Sequence, residues 1–173
     1  MANYNLSTID RIGDITRGIH VKTGTLLNTL IFDHNPALEV DLFTVYGRIR
    51  IIGLNCEAVT AFAADASLLQ WRFKSTTPVI AYADISAVSL TVASMVIGAR
   101  IMWRGTAVNT APDTNNTVQA SIAVVQDWMD VGLTGGVGVI GSLCTTATQA
   151  SGSCLMNLYY LPISEGAYAV SIL

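Results

Sequence analysis

Side chains that alternate between apolar and polar at every second position belong to strands half buried against a core, and this chain repeats that period along its length. Over residues 68–74, Leu69, Trp71 and Phe73 alternate with Gln70, Arg72 and Lys74. Over 99–104, Ala99, Ile101 and Trp103 alternate with Arg100, Met102 and Arg104. Leu38, Val40 and Leu42 flank Glu39 and Asp41, and in 117–128 Val118, Ala120, Ile122 and Val124 oppose Thr117, Gln119 and Ser121. Less regular strands are expected at 48–55, 57–63, 79–83, 137–146, 153–161 and 167–173. Turn signals separate them: Tyr46-Gly47, Thr77-Pro78, the run 109–116, Gly135-Gly136 and Ser151-Gly152. About ten short strands so spaced predict an all-β domain over 38–173, an antiparallel β-sandwich with a jelly-roll-like arrangement. Residues 86–95 fit two patterns, since Val88, Leu90 and Val92 alternate while Ile85, Val88, Val92 and Met95 make a helical stripe; a strand is expected. Residues 1–37 show no sustained alternation and read as an irregular N-terminal arm that packs along the domain or onto a neighbour.

The polar half of this alternation is neutral rather than ionic. Ser and Thr number 30, against 21 Asp, Glu, Lys and Arg, and charged residues make up 12% of the chain, about half the usual share. A surface so sparsely charged suits either a membrane or contact with other protein. A spanning helix needs about 20 apolar residues. The densest run, 85–99, carries three serines and a threonine, and the uncharged stretch 131–164 is rich in Gly, Ser and Thr and contains Pro162. Neither reads as a span, no closed-barrel pattern is evident, and no basic segment precedes an apolar core at the amino terminus, so no secretory signal is expected. Nucleic acid is also excluded as a partner, because two lysines and a net charge of −3 leave no basic face. Three cysteines, Cys56, Cys144 and Cys154, are an odd number; Cys144 and Cys154 could meet across a hairpin near Gln149, but buried free thiols are the expectation.

Motifs that would carry chemistry are few. Gly136-Val137-Gly138-Val139-Ile140-Gly141 spells a dinucleotide fingerprint, yet a strand-like Ser142-Leu143-Cys144-Thr145-Thr146 follows where that motif needs a helix. His20 and His34 lie in the arm with no ligand spacing around them. Asp127 and Asp130 flank Trp128 and would be the carboxylates of a hydrolase, though a strand end entering a loop explains them more simply. Trp71 and Trp103 sit in register with aliphatic residues and are expected in the core, which leaves Trp128 as the one aromatic to test for a glycan. No catalytic, cofactor-binding or metal-binding residue is assigned.

Two segments carry a family resemblance. Leu42-Phe43-Thr44-Val45-Tyr46-Gly47-Arg48-Ile49-Arg50-Ile51-Ile52-Gly53, followed by Glu57-Ala58-Val59-Thr60-Ala61, resembles the opening strands of small tailed-phage virion proteins. Asn157-Leu158-Tyr159-Tyr160-Leu161-Pro162-Ile163-Ser164-Glu165-Gly166-Ala167 is similar to their carboxyl end. The resemblance implies a β-sandwich virion component without catalytic residues, most often a capsid decoration (cement) protein. Its partners would be the major capsid protein and copies of itself, as a homotrimer or dimer, on the surface of a virion built in the host cytoplasm. The alternative it leaves open is a receptor- or glycan-binding module of a fibre, spike or tail. Residues 1–37 would then reach across a subunit boundary.

Overall fold

The computed structural model describes residues 18–33, 39–89, 91–103, 113–115 and 129–173. Twelve strands and one helical turn follow in chain order: β1 (Ile19–Lys22), β2 (Leu26–Leu27), α1 (Asn28–Ile31), β3 (Glu39–Tyr46), β4 (Ile49–Thr60), β5 (Leu68–Thr77), β6 (Val79–Asp84), β7 (Arg100–Trp103), β8 (Asp113–Asn115), β9 (Met129–Val131), β10 (Val137–Thr145), β11 (Ser153–Pro162) and β12 (Tyr168–Ser171). They form two antiparallel sheets. One has the order β1-β11-β4-β7-β8, with β2 beside β11 and β9 beside β4; the other has the order β12-β3-β10-β5-β6. The pairings nest. β5 pairs with β6, β4 with β7, β3 with β10 and β1 with β11, so the chain's outer strands close around its inner ones. β11 against β4, and β10 against β5, then complete each sheet.

The inward faces of both sheets share one hydrophobic core, the arrangement of a β-sandwich. Leu69 and Trp71 of β5 and Ile101 and Trp103 of β7 are buried, with Gln70, Arg72, Arg100 and Met102 on the other face, as the alternation requires. The Tyr160 hydroxyl of β11 crosses between sheets and accepts the Ala169 N–H of β12 at 3.0 Å.

Strands that looked irregular in sequence contain bulges. In β4, Tyr159 lies opposite Gly53 and Tyr160 opposite Ile51, so Ile52 is an extra residue. The buried series Ile49, Ile51 therefore continues as Leu54, Cys56, Ala58, because one inserted residue exchanges the two faces. The expected break between 48–55 and 57–63 is one continuous strand. In β3, Ile140 faces Phe43 and Gly141 faces Asp41, which makes Leu42 the extra residue and buries both Leu42 and Phe43. At the β3–β4 turn Gly47 has φ +73, and a Cβ there would lie 2.8 Å from Ser164 Oγ, so this turn needs glycine.

Two expectations are corrected. The described residues of 85–99 form neither strand nor helix. Ser86 Oγ accepts the Trp71 N–H at 3.0 Å and Ser89 Oγ accepts the Leu69 N–H at 2.8 Å. Serine hydroxyls thus satisfy β5's edge where a ladder would have been, while Ile85, Val92 and Met95 fill the core. Within the turn-rich run 109–116, residues 113–115 are a strand against β7. The alternating segment 117–128 lies outside the described residues.

Residues 18–33 of the arm pack along the domain. β1 and β2 both pair with β11, and Leu26, Ile31 and Phe32 are buried. Phe32 meets Phe62 edge to face at 5.1 Å. Strands of four and two residues are too short to register as period 2. Among the described residues no helix is long and apolar enough to cross a membrane.

Candidate functional site

Among the described residues most charges are paired with one another. On the outer face of the second sheet, Asp41 of β3, Arg72 and Lys74 of β5, and Tyr82 and Asp84 of β6 converge with Glu39. Lys74 Nζ reaches both Asp41 oxygens at 2.8 and 2.9 Å, and Arg72 Nε donates to Asp84 Oδ1 at 2.9 Å while also pairing with Glu39. The Tyr82 hydroxyl donates to Asp41, and its ring lies 4.6 Å from Lys74 Nζ and 5.3 Å from the Arg72 guanidinium carbon. Burial and then the Asp41 hydrogen bond raise the Tyr82 pKa far above the ordinary tyrosine range. The phenol fits because Gly141 lies beneath it: a Cβ at 141 would sit 2.5 Å from the Tyr82 oxygen.

A second cluster fixes Asp130 of β9. Arg50 Nε donates to Oδ1 at 2.7 Å, and Arg50 and Arg48 both donate to Oδ2, at 3.2 and 3.0 Å. The Arg50 hydrogen bond holds the Asp130 carboxyl below its usual range. A carboxylate clamped by two guanidiniums is a poor proton acceptor, so Asp130 is placed as a structural anion; Asp127 and Trp128 lie outside the described residues. Arg100 pairs with Glu57 at 2.8 Å. Every described arginine, and Lys74, is therefore in an ion pair. Partly exposed pairs stabilise by no more than about 1 kcal/mol each, but pairing leaves the surface electrostatically quieter than its composition suggests.

The other candidates disperse. Trp71 and Trp103 are fully buried in the core. The glycine motif runs from a turn straight into β10, a strand. His20 stacks on Tyr159 at 4.5 Å, and its Nε2 lies 2.8 Å from Asn157 Oδ1, whose amide donates onward to Asn55 at 2.7 Å; His34 lies outside the described residues. Cys144 and Cys154 occupy different sheets and form no disulfide with each other; all three cysteines are buried thiols. Cys56 is driven up by a hydrogen bond with the Cys154 thiol and by burial, and burial pushes Cys144 up to about 11. Such thiols are unreactive. Among the described residues no group of three or more His, Cys, Asp or Glu could hold a metal ion.

What the surface does present is uncharged strand edge. β6 reads Val-Ile-Ala-Tyr-Ala-Asp, with Val79 87% and Ile80 55% exposed. On β12 the exposed face is Tyr168 and Val170, continued by Ile172 just beyond it, and Tyr168 stacks on Tyr46 at 4.6 Å. The sequence marks β6 as a strand but not as an edge, because edge position depends on pairings across the whole chain. No family model, curated protein or solved structure matches this chain.

Proposed function

We propose that this chain is a non-enzymatic structural protein of a phage virion, a decoration protein that reinforces the head shell by burying weakly charged β-surface against the major capsid protein and against copies of itself. The observation that carries the reading is the pairing-off of charge beside open apolar strand edges: the surface neither repels its own copies nor blocks strand addition. The nested pairing of β1 with β11, β3 with β10, β4 with β7 and β5 with β6 supports a jelly roll, an architecture used by viral capsid domains. The two segments similar to tailed-phage virion proteins supply the particle.

Labelled protein should decorate the shell of intact particles. Particles lacking it should lose resistance to heat and osmotic shock, since a partner that binds only the assembled state stabilises that state; equal resistance would overturn the reading. The half-exposed Tyr46–Tyr168 stack favours a second reading, a glycan-binding module of a fibre or spike. Label on the tail together with binding on a glycan array would select it.

A further inference from the structure

We propose that the free side of β6 is a self-association edge, at which two copies of this chain pair antiparallel about a two-fold axis and join their five-stranded sheets into one. The inference deepens the reading that the protein assembles with copies of itself, and names the surface.

Among the described residues four strands end the two sheet orders, with the shorter β2 and β9 at the margins of the first. β1 carries Lys22 and His20, and β8 is three residues long and begins with Asp113. β12 is four residues long, and Gly24 donates its N–H to the carbonyl of Leu173 just beyond it, so the chain's own arm engages the end of that strand. β6 is the longest of the four, at six residues, and among the described residues nothing pairs with its outer side. It contains no lysine and no proline within the strand, and its one edge-blunting device is a bulge that sets Ala81 and Tyr82 opposite Lys74. Its one charge, Asp84, lies at the end and is held by Arg72.

The groups on offer are main-chain N–H and C=O in extended spacing, and an extended strand is what satisfies them. A second β6 is such a strand. In an antiparallel two-fold arrangement the two Asp84 residues fall at opposite ends of the pair, so no like charges face each other. Ile80 and Ala83 lie opposite Ser75 and Phe73 of β5 and yet are exposed, so a partner strand brings apolar side chains to both copies. Six residues span about 20 Å, and one strand pair buries less than the ~800 Å² per partner of a standard interface. The dimer is therefore weak in solution and gains persistence where copies are held side by side.

Sedimentation velocity of the full chain from about 1 μM to about 1 mM reads this directly. The wild type should move from monomer to dimer across that range. Ile80→Lys, at a half-exposed position that leaves the core intact, should weaken dimerisation at least tenfold with unchanged circular dichroism. Val170→Lys on β12 should not weaken it. A wild type that stays monomeric, a closed trimer, or an Ile80→Lys variant that dimerises as well as wild type overturns the proposal. The tests separate from that of function: dimers in solution with no protein on virions would refute the virion reading alone, and decorated virions with monomers in solution would refute the edge alone.

Discussion

Replacing Gly141 with alanine tests whether the outer face of the second sheet is packed as closely as described. The new Cβ would lie 2.5 Å from the Tyr82 oxygen and 2.7 Å from the carbonyl oxygen of Val40. The tyrosine can swing away; the carbonyl belongs to β3, which is laddered to β10, and can retreat only by disturbing that register. Overpacking of this kind costs about 1–3 kcal/mol. Against it, alanine restricts the unfolded chain and returns about 0.4–1 kcal/mol. The net loss is at most about 2.6 kcal/mol and centres on about 1.3 kcal/mol, a fall in Tm of about 3–5 °C at this chain length. In a Tyr82→Ala background the hydroxyl contact is gone but the carbonyl contact remains, so the loss should shrink without vanishing. A second readout is the phenol itself. Tyr82 is held protonated in the fold more strongly than in the unfolded chain, so its contribution to stability is complete below pH ~10 and is lost as pH rises above that. Displacing Tyr82 from Asp41 should bring its absorbance titration back towards the ordinary tyrosine range. A Gly141→Ala protein that melts with wild type and keeps the high Tyr82 titration would refute the packing argument.

Three further outcomes are expected. Asp130 has a depressed folded pKa, so its stabilisation is present above the ordinary carboxylate range and is lost as pH falls through the folded value. Asp130→Asn should cost up to about 1 kcal/mol at pH ~7 and nothing once wild-type Asp130 is protonated, by urea melts at both pH values. The native protein should be inert to an aromatic disulfide reagent at neutral pH, and all three cysteines should react after unfolding; a fast-reacting native thiol would contradict their burial. Deleting residues 1–33 should abolish cooperative unfolding, because it removes β1 and the buried Leu26, Ile31 and Phe32. A truncated chain that still melts as a single transition would place the arm outside the folding unit.

Strands whose alternation runs unbroken were legible from sequence: β5 and β7 lie where Leu69, Trp71, Ile101 and Trp103 put them. β4 was read as two strands, since a bulge at Ile52 shifts the apolar phase midway and the signature of a bulge in one strand resembles that of a break. Residues 86–95 carry a misleading strand pattern because Ser86 and Ser89 look like the polar half of a strand, whereas their hydroxyls accept β5 backbone N–H groups. The Asp41–Lys74–Tyr82 cluster was invisible for a different reason. Each residue was recognisable as outward-facing or as a strand residue, but their meeting depends on the registers of β3, β10, β5 and β6 together, which no local pattern encodes. The guanidinium clamp on Asp130 was hidden on the same ground, since Arg48 and Arg50 reach it across 80 or more residues.

The nesting of strand pairs dictates an order of events during biosynthesis. Thr76 and Val79 of the innermost pair are close in sequence, whereas His20 and Asn157, hydrogen-bonded across the outermost, are 137 residues apart. Closing the larger loop costs about 2 kcal/mol more than closing one of about a dozen residues. Neither sheet is complete until β10 and β11 have left the ribosome, so the β5–β6 hairpin forms early and waits, its uncharged edge exposed to any other nascent copy. High contact order makes the closure slow. A cell producing many copies at once therefore meets its greatest risk of mispairing before the second half of the chain is made, at the same strand whose outer side has no partner among the described residues.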